Sequence, residues 1–282
     1  MKEMLLSGQK VPAIGLGTWH MGDTKSIRDQ EVKALQAGIQ AGAKVIDTAE
    51  MYGNGRSEDL VGEAISTLDR NNLFLIDKVL PSNASKSAME KSVNKSLKLL
   101  GTDYIDLYLY HWRGSIPLIE TVETLKEIQK KGKIKSWGVS NFDLADMKEL
   151  VALPGGDEVA ANEDLYSLNS RGIEYSLLDW MRERHIPLIA YSPVAQGDTH
   201  AAKFEGNQTL KEIAANHNAS IYQIILAWDI RDDATLAIPQ TSNPDHAVDN
   251  VKALKIDLTK DELEALDKAY PAPNHKVPLD IL

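Results

Sequence analysis

The sequence predicts an α/β fold, a (β/α)8 barrel of the TIM type, forming one domain over residues 1–282. Three observations predict it. Eight short apolar runs alternate with longer amphipathic segments. The runs are apolar throughout instead of alternating apolar and polar, as strands covered on both faces must be. And no Gly-x-Gly-x-x-Gly follows an early run. Gly15-Leu16-Gly17 lacks the third glycine, and Gly53-Asn54-Gly55 continues into Arg56 and Ser57, so a doubly wound sheet is the second choice. A chain of 282 residues suits a barrel, which needs roughly 250.

The elements follow in order. The segment before Ala13 is expected to close the bottom of the barrel. Predicted strands are Ala13–Leu16, Lys44–Asp47, Leu73–Lys78, Tyr104–Tyr110, Ser136–Ser140, Glu158–Asp164, Ile186–Tyr191 and Thr235–Ile238. Between them, Val32, Leu35 and Ile39 form one apolar stripe in Asp29–Ala41. Val93, Leu97 and Leu100 do so in Ser87–Leu100, and Val122, Leu125 and Ile128 in Ile119–Lys130. Gln196–Asn207 is the longest loop, placed after the seventh strand where it would cover a ligand. Pro271–Leu282 carries three prolines and cannot form a long helix.

Composition narrows the function. Hydrophobic residues at 43% and charged ones at 26% describe a globular chain. Acidic residues number 41 against 31 basic ones, a net charge of −10. That balance excludes a broad nucleic-acid face and a polybasic membrane surface. There are no cysteines, hence no disulfide, no thiolate catalysis and no cysteine-bound metal. No stretch approaches the ~18 apolar residues of a membrane span, and Met1–Ser7 lacks the apolar core of a signal peptide. A monomeric cytoplasmic protein acting on a small molecule is expected.

A barrel carries its site at the C-terminal ends of its strands. The polar residues ending the apolar runs are therefore the candidates. The second run ends in Asp47, with Tyr52 shortly after, the third in Lys78, and the fourth in His111-Trp112. The fifth ends in Ser140-Asn141, the sixth carries Asn162-Glu163, and the seventh ends in Tyr191-Ser192. Each has a structural reading: Asp47 as a helix cap, Tyr52 as a rim aromatic, Lys78 as a solvated strand end, His111 as a core histidine. Together, at three neighbouring strand ends, Asp47, Tyr52, Lys78 and His111 point to one mouth. The other histidines, His20, His185, His200, His217, His246 and His275, show no metal-ligand spacing, so no metal is expected. An ammonium beside a phenol favours the phenolate, so Lys78 is expected to lower the pKa of Tyr52 from its usual value near 10. An aspartate keeps that lysine charged and aimed, and an imidazole orients a carbonyl oxygen. Such a group protonates a carbonyl oxygen while something else attacks the carbon.

Over nearly its full length the chain resembles the aldo-keto reductases, most closely their bacterial branch with short loops. The resemblance rests on seven ordered motifs. They are Gly15–Trp19, Asp47–Glu58, Lys78-Val79, His111-Trp112, Gly138–Phe142, Ala190–Pro193 and Ile238-Pro239. It implies a barrel that reduces aldehydes and ketones to alcohols with NADPH or NADH. Tyr52 would be the general acid, Lys78 and Asp47 its tuning pair, and His111 the carbonyl orienter. Ser140 and Asn141 match positions that bind the nicotinamide carboxamide, and Tyr191 the aromatic that stacks on its ring. Ser192, Pro193, Val194, Gln196 and Gly197 match the pyrophosphate loop. Gly17, Thr18, Trp19, Ile238, Pro239, Gln240, Thr241, Ser242, His246, Asp249 and Asn250 complete the expected cofactor contacts. Trp19, Met51, Tyr52, Leu80, His111 and Trp112 would line the substrate pocket, with His20, Met21 and the tail as further liners. Three positions depart from the family pattern. Gln240 and His246 stand where many relatives place a lysine and an arginine for the NADPH phosphate, so NADP(H) is expected but NADH is admitted. Glu163 replaces a glutamine beside the nicotinamide amide, and an ionised carboxylate accepts hydrogen bonds without donating any.

Two rival functions use the same residues. A Schiff-base lyase would employ Lys78 as nucleophile; Asp47, by keeping the amine protonated, argues against it. A non-catalytic regulatory subunit on the same fold would have no need of the complete Asp47–Tyr52–Lys78–His111 set.

Overall fold

A computed structural model of the protein describes residues 1–195 and 204–282. The chain opens with an antiparallel hairpin, β1 (Glu3–Leu6) and β2 (Gln9–Pro12), in which Met4 faces Val11. Its two turn residues, Ser7 and Gly8, have φ of 50° and 77°, the backbone that a tight two-residue hairpin demands. Eight further strands form one sheet: β3 (Leu16–Gly17), β4 (Val45–Asp47), β5 (Phe74–Val79), β6 (Ile105–Tyr110), β7 (Ile134–Ser140), β8 (Asn162–Leu165), β9 (Leu188–Tyr191) and β10 (Thr235–Ala237). Sequential neighbours pair in parallel from β3 to β10. The edges then meet. Ile14 bridges Ala237 and Gly17 bridges Gln240, with Gly15 N donating to Ala237 O at 2.9 Å. The sheet is thus a closed (β/α)8 barrel, as the alternation of runs predicts.

Helices α1 (Arg28–Ala41), α2 (Arg56–Ile65), α3 (Lys86–Leu100), α4 (Leu118–Lys130), α5 (Leu144–Ala152) and α6 (Leu177–Arg182) follow strands β3 to β8. After β9 come α7 (Gln208–Asn216) and α8 (Ile221–Asp229), and after β10 α9 (Pro244–Lys252) and α10 (Lys260–Ala269). The predicted apolar stripes are what they bury: Val32 and Leu35 of α1, Val93 and Leu100 of α3, Val122, Leu125 and Ile128 of α4.

Two cores result. One lies between helices and sheet. The other fills the barrel with Val45, Phe74, Ile76, Leu107, Leu109, Ala161, Ile189, Leu236 and Ile238, and it includes Met4, Leu6 and Val11 of the hairpin. The hairpin therefore packs into the end of the barrel opposite the strand C-termini.

Two strands differ from expectation. The first predicted strand, Ala13–Leu16, pairs regularly only at Leu16–Gly17, because residues 13–15 bond to the last strand instead. The sixth, Glu158–Asp164, begins as a 3₁₀ turn over Gly156–Glu158 after Gly155 in the left-handed region (φ 76°). Pairing with β7 starts only at Ala160, whose N–H reaches Trp137 O.

Gly138 in β7 shows how tight the barrel is. A methyl group there would lie 2.6 Å from Ala161 O and 2.8 Å from Leu109 Cδ2. Alanine ordinarily improves a strand interior by roughly 0.5–1 kcal/mol over glycine. Here overpacking outweighs that gain, so Gly138→Ala is expected to destabilise by about 1–3 kcal/mol, measured as a lower urea midpoint.

Candidate active site

The site residues continue the inward face of the barrel. Side chains alternate along a strand, and each candidate stands two residues beyond a barrel-core residue. Asp47 follows Val45, Lys78 follows Ile76, His111 follows Leu109, Glu163 follows Ala161 and Tyr191 follows Ile189. The polar layer is thus the last turn of the barrel interior. Tyr52 joins it from the 3₁₀ turn Tyr52–Gly55 after β4, anchored by its own N–H to Ala49 O at 2.9 Å. That turn needs φ of 58° at Gly53 and 55° at Asn54, which a glycine and an asparagine accept most readily.

Lys78 is 0% exposed. Its Nζ donates to both Asp47 oxygens at 2.6 Å, to Thr48 O at 3.1 Å and to Tyr52 Oη at 3.3 Å. A second carboxyl, Glu163, places Oε1 3.3 Å away. Burial disfavours the ammonium, but the Asp47 and Glu163 carboxylates outweigh burial and hold its pKa well above the usual lysine value. Burial lifts Asp47 above the ordinary aspartate value against the pull of Lys78. Burial and then Asp47 push Glu163 well above the glutamate range. One ammonium thus faces two buried carboxyls, and Glu163 is pushed further up than Asp47. An ionised Glu163 accepts hydrogen bonds only, whereas its acid form also donates.

Tyr52 also departs from expectation. Burial raises its pKa, Lys78 lowers it, and the Asp47 and Glu163 carboxylates raise it again; the net direction is up. Lys78 moderates the phenol without making it more acidic than free tyrosine. Burial, reinforced by Lys78, drops the pKa of His111 to about 3, so its imidazole is neutral at physiological pH. The ring stands edge-on to Tyr52 with centroids 5.9 Å apart, and its buried Nδ1 has no hydrogen-bond partner among the described residues.

Asp47, Tyr52, His111 and Glu163 floor a cleft of about 1070 Å³, with Lys78 buried beneath them. It collects Gly17, Thr18, Trp19, Asp47, Met51, Tyr52, His111, Trp112, Ser140, Asn141, Glu163, Tyr191, Ser192, Pro193, Val194, Ile238 and Gln240, all of them sequence candidates. Ser140 Oγ donates to Glu163 O at 2.9 Å; Asn141 Nδ2 donates to Ser140 Oγ and to His111 O, both at 3.1 Å. Asn141 Oδ1 accepts from Tyr191 Oη at 2.8 Å. An aromatic ring, a primary amide, a hydroxyl and the unpartnered buried Glu163 Oε2 thus share one wall. That donor and acceptor set fits a flat ring bearing a carboxamide.

Other candidates lie elsewhere. Leu80 lines a separate cavity beside Met51, because its N–H is held by Glu50 Oε1 at 2.6 Å. Met21 is buried away from the cleft. Pro239, Thr241, Ser242, His246, Asp249 and Asn250 do not line it. The last three sit on α9, where Asp249 pairs with Lys252 at 2.8 Å. Gln196, Gly197 and most of the predicted covering loop fall outside the described residues. Arg113 lines the cleft without having been singled out, and Ala195 lines it within the Ser192–Gln196 stretch expected to meet the pyrophosphate. The signal for Arg113 was a cation directly after His111-Trp112. Of the tail, Ile281 and Leu282 reach the mouth. The tail is held by Lys276 on Asp143 at 2.5 Å and by Asp280 on the Ser170 hydroxyl.

The chain matches the model of the Aldo/keto reductase family over residues 13–271. It is 47% identical over 272 residues to methylglyoxal reductase YeaE of Escherichia coli K12, covering 96% of this chain and 95% of that one. It is 30% identical to a glyoxal reductase of Bacillus subtilis, over 93% of this chain and 90% of the relative. A crystal structure of an aldo/keto reductase from Klebsiella pneumoniae with NADP and acetate superposes with a TM-score of 0.97 at 46% identity. It covers 100% of this chain and 99% of that one. With the barrel, the polar layer and these matches in hand, the protein is a member of the aldo-keto reductase family.

Proposed function

We propose that the protein reduces aldehydes and ketones to alcohols with NADPH, small α-oxoaldehydes among them. The observation that carries this reading is the Tyr52 hydroxyl, 3.3 Å from a buried ammonium on the cleft floor. Two relatives support the substrate class, being named for methylglyoxal and glyoxal. The Klebsiella structure contains NADP. We include a monomeric, cytoplasmic protein in this reading. No described helix is long and apolar enough to cross a membrane.

Bound reduced nicotinamide supplies the hydride. Tyr191, Asn141, Ser140 and Glu163 would hold its ring and amide. The protein's own part is proton delivery at the carbonyl oxygen. Tyr52 and His111 frame the place where that oxygen sits, and a neutral imidazole donates to it without carrying charge. As negative charge grows on the oxygen, Tyr52 gives up its proton, and Lys78 stabilises the phenolate left behind. Asp47 keeps Lys78 charged and aimed. A permanently charged lysine is a poor nucleophile, which disfavours the Schiff-base reading. Trp19, Trp112 and Met51 give the mouth apolar walls.

Loss of nucleotide absorbance with methylglyoxal, simple aldehydes and ketones tests the reading. Turnover is expected with NADPH, and inactivity towards every carbonyl would overturn it. Tyr52→Phe is expected to cut kcat on the order of 10²–10⁴-fold while nucleotide binding survives. Because the Tyr52 pKa is raised, its acid form persists above the ordinary tyrosine value near 10. The reduction rate should therefore stay level between about pH 7 and 9, where a lowered pKa would make it fall; a pH profile of kcat decides. Gln240→Lys with His246→Arg should tighten NADPH and leave NADH little changed, since charge-assisted bonds to phosphate are about twice as strong as neutral ones. Dissociation constants for both nucleotides measure it.

A further inference from the structure

We propose that Glu163 holds a proton in the resting protein, releases it to solvent when oxidised, cationic nicotinamide binds, and keeps it when the reduced, neutral form binds. The proposal rests on the nicotinamide reading above and goes beyond it by assigning a proton to one side chain.

Geometry carries the argument. Glu163 is 2% exposed and reaches Lys78 only through Oε1, at 3.3 Å. Asp47 takes the two short bonds at 2.6 Å, and Thr48 O and Tyr52 Oη share the one N–H left on the same ammonium. One ammonium cannot neutralise two buried carboxylates, and an uncompensated buried charge is costly. Asp47 is the better paired, so the proton falls to Glu163. Its Oε2 is buried and has no partner among the described residues, and Glu163 forms part of the cleft wall with Tyr191, Ser140 and Asn141.

Among the described residues, the titratable groups coupled to Glu163 come from four elements. Asp47 comes from β4, Tyr52 from the turn after it, Lys78 from β5 and Tyr191 from β9. Asp47 opposes ionisation of Glu163 and Lys78 favours it, and burial decides for the acid form. A cation brought into the cleft changes that balance. The Glu163 O–H bond breaks, the proton leaves to water, and the carboxylate stays beside the new positive charge. Reduced nicotinamide brings no positive charge to the ring and leaves the proton in place. A glutamine at this position has no proton to exchange.

Linkage fixes the sign. If binding releases a proton, NADP⁺ affinity rises with pH by up to about tenfold per unit, between the Glu163 pKa of the complex and that of the free protein. NADPH affinity lacks this dependence. The experiment titrates full-length wild type and Glu163→Gln with NADP⁺ and with NADPH across pH, following protein fluorescence. An indicator dye in weak buffer records proton release. The infrared carboxylic-acid band of each nucleotide-free protein is recorded as well. Expected are proton release and a pH-dependent Kd for NADP⁺ with wild type only, and an acid band that Glu163→Gln removes. A wild type whose NADP⁺ affinity is flat with pH overturns the proposal, and this arm needs no variant. Equal proton release by Glu163→Gln overturns it too. Failure of both nucleotides to bind instead overturns the nicotinamide reading on which it stands.

Discussion

The ammonium of Lys78 is the constraint around which the rest of the structure is arranged. It sits at the top of the barrel interior with no exposure to water, where an unpaired charge is prohibitive. Strand alternation on β5 puts it there, directly above Phe74 and Ile76. Everything nearby follows from satisfying it. Asp47 ends β4 because a carboxylate must face it, and the chain after β4 turns back so that Thr48 O and the Tyr52 hydroxyl reach it. Thr18 Oγ1 then ties Asp47 O to the first loop at 2.8 Å. Deleting the ammonium would strand Asp47 in a buried site, so the residue is structural and chemical at once.

The fold was legible because its two signals are local. Apolar runs without alternation mark strands covered on both faces, and helical stripes mark what covers them. The end of each run then names the next inward residue, which is why Asp47, Lys78, His111, Glu163 and Tyr191 could be picked out together. What stayed hidden depends on distances between strands. The direction of the Tyr52 pKa follows first from burial, with the acids of β4 and β8 beside it. The protonation of Glu163 needs Asp47 and Lys78 in three dimensions. Leu80 misled because Glu50 captures its backbone. The N-terminal hairpin carried readable signs in the alternation of Met4 and Leu6 and in Ser7-Gly8, but so short a segment invites no strand assignment.

The formal charge of −10 counts every carboxyl as ionised. Burial works against ionisation of several of them. Burial holds Asp77, Glu163, Asp164 and Asp229 well above the usual range. Asp77 lies on the outer face of β5, back to back with Lys78, and accepts the Lys78 N–H at 2.8 Å. Together with Glu58, also raised by burial, it forms a buried acid layer under α2. Groups of this kind bind protons more tightly when folded, so their contribution to stability declines as pH rises above the unfolded carboxyl values.

The tail separates two things that most enzymes keep entangled. It runs along the loops after β7 and β8 without joining any strand or helix, moored by the side chains of Lys276 and Asp280, and of its residues only Ile281 and Leu282 touch the cleft. The proton-handling residues hang from the sheet, whereas this part of the wall hangs from a strap outside it. Sequence drift at residues 281 and 282 can therefore reshape what the mouth admits while the ammonium, its carboxyls and the barrel packing stay untouched. Selection is free to explore new carbonyl compounds at the strap without first risking the fold.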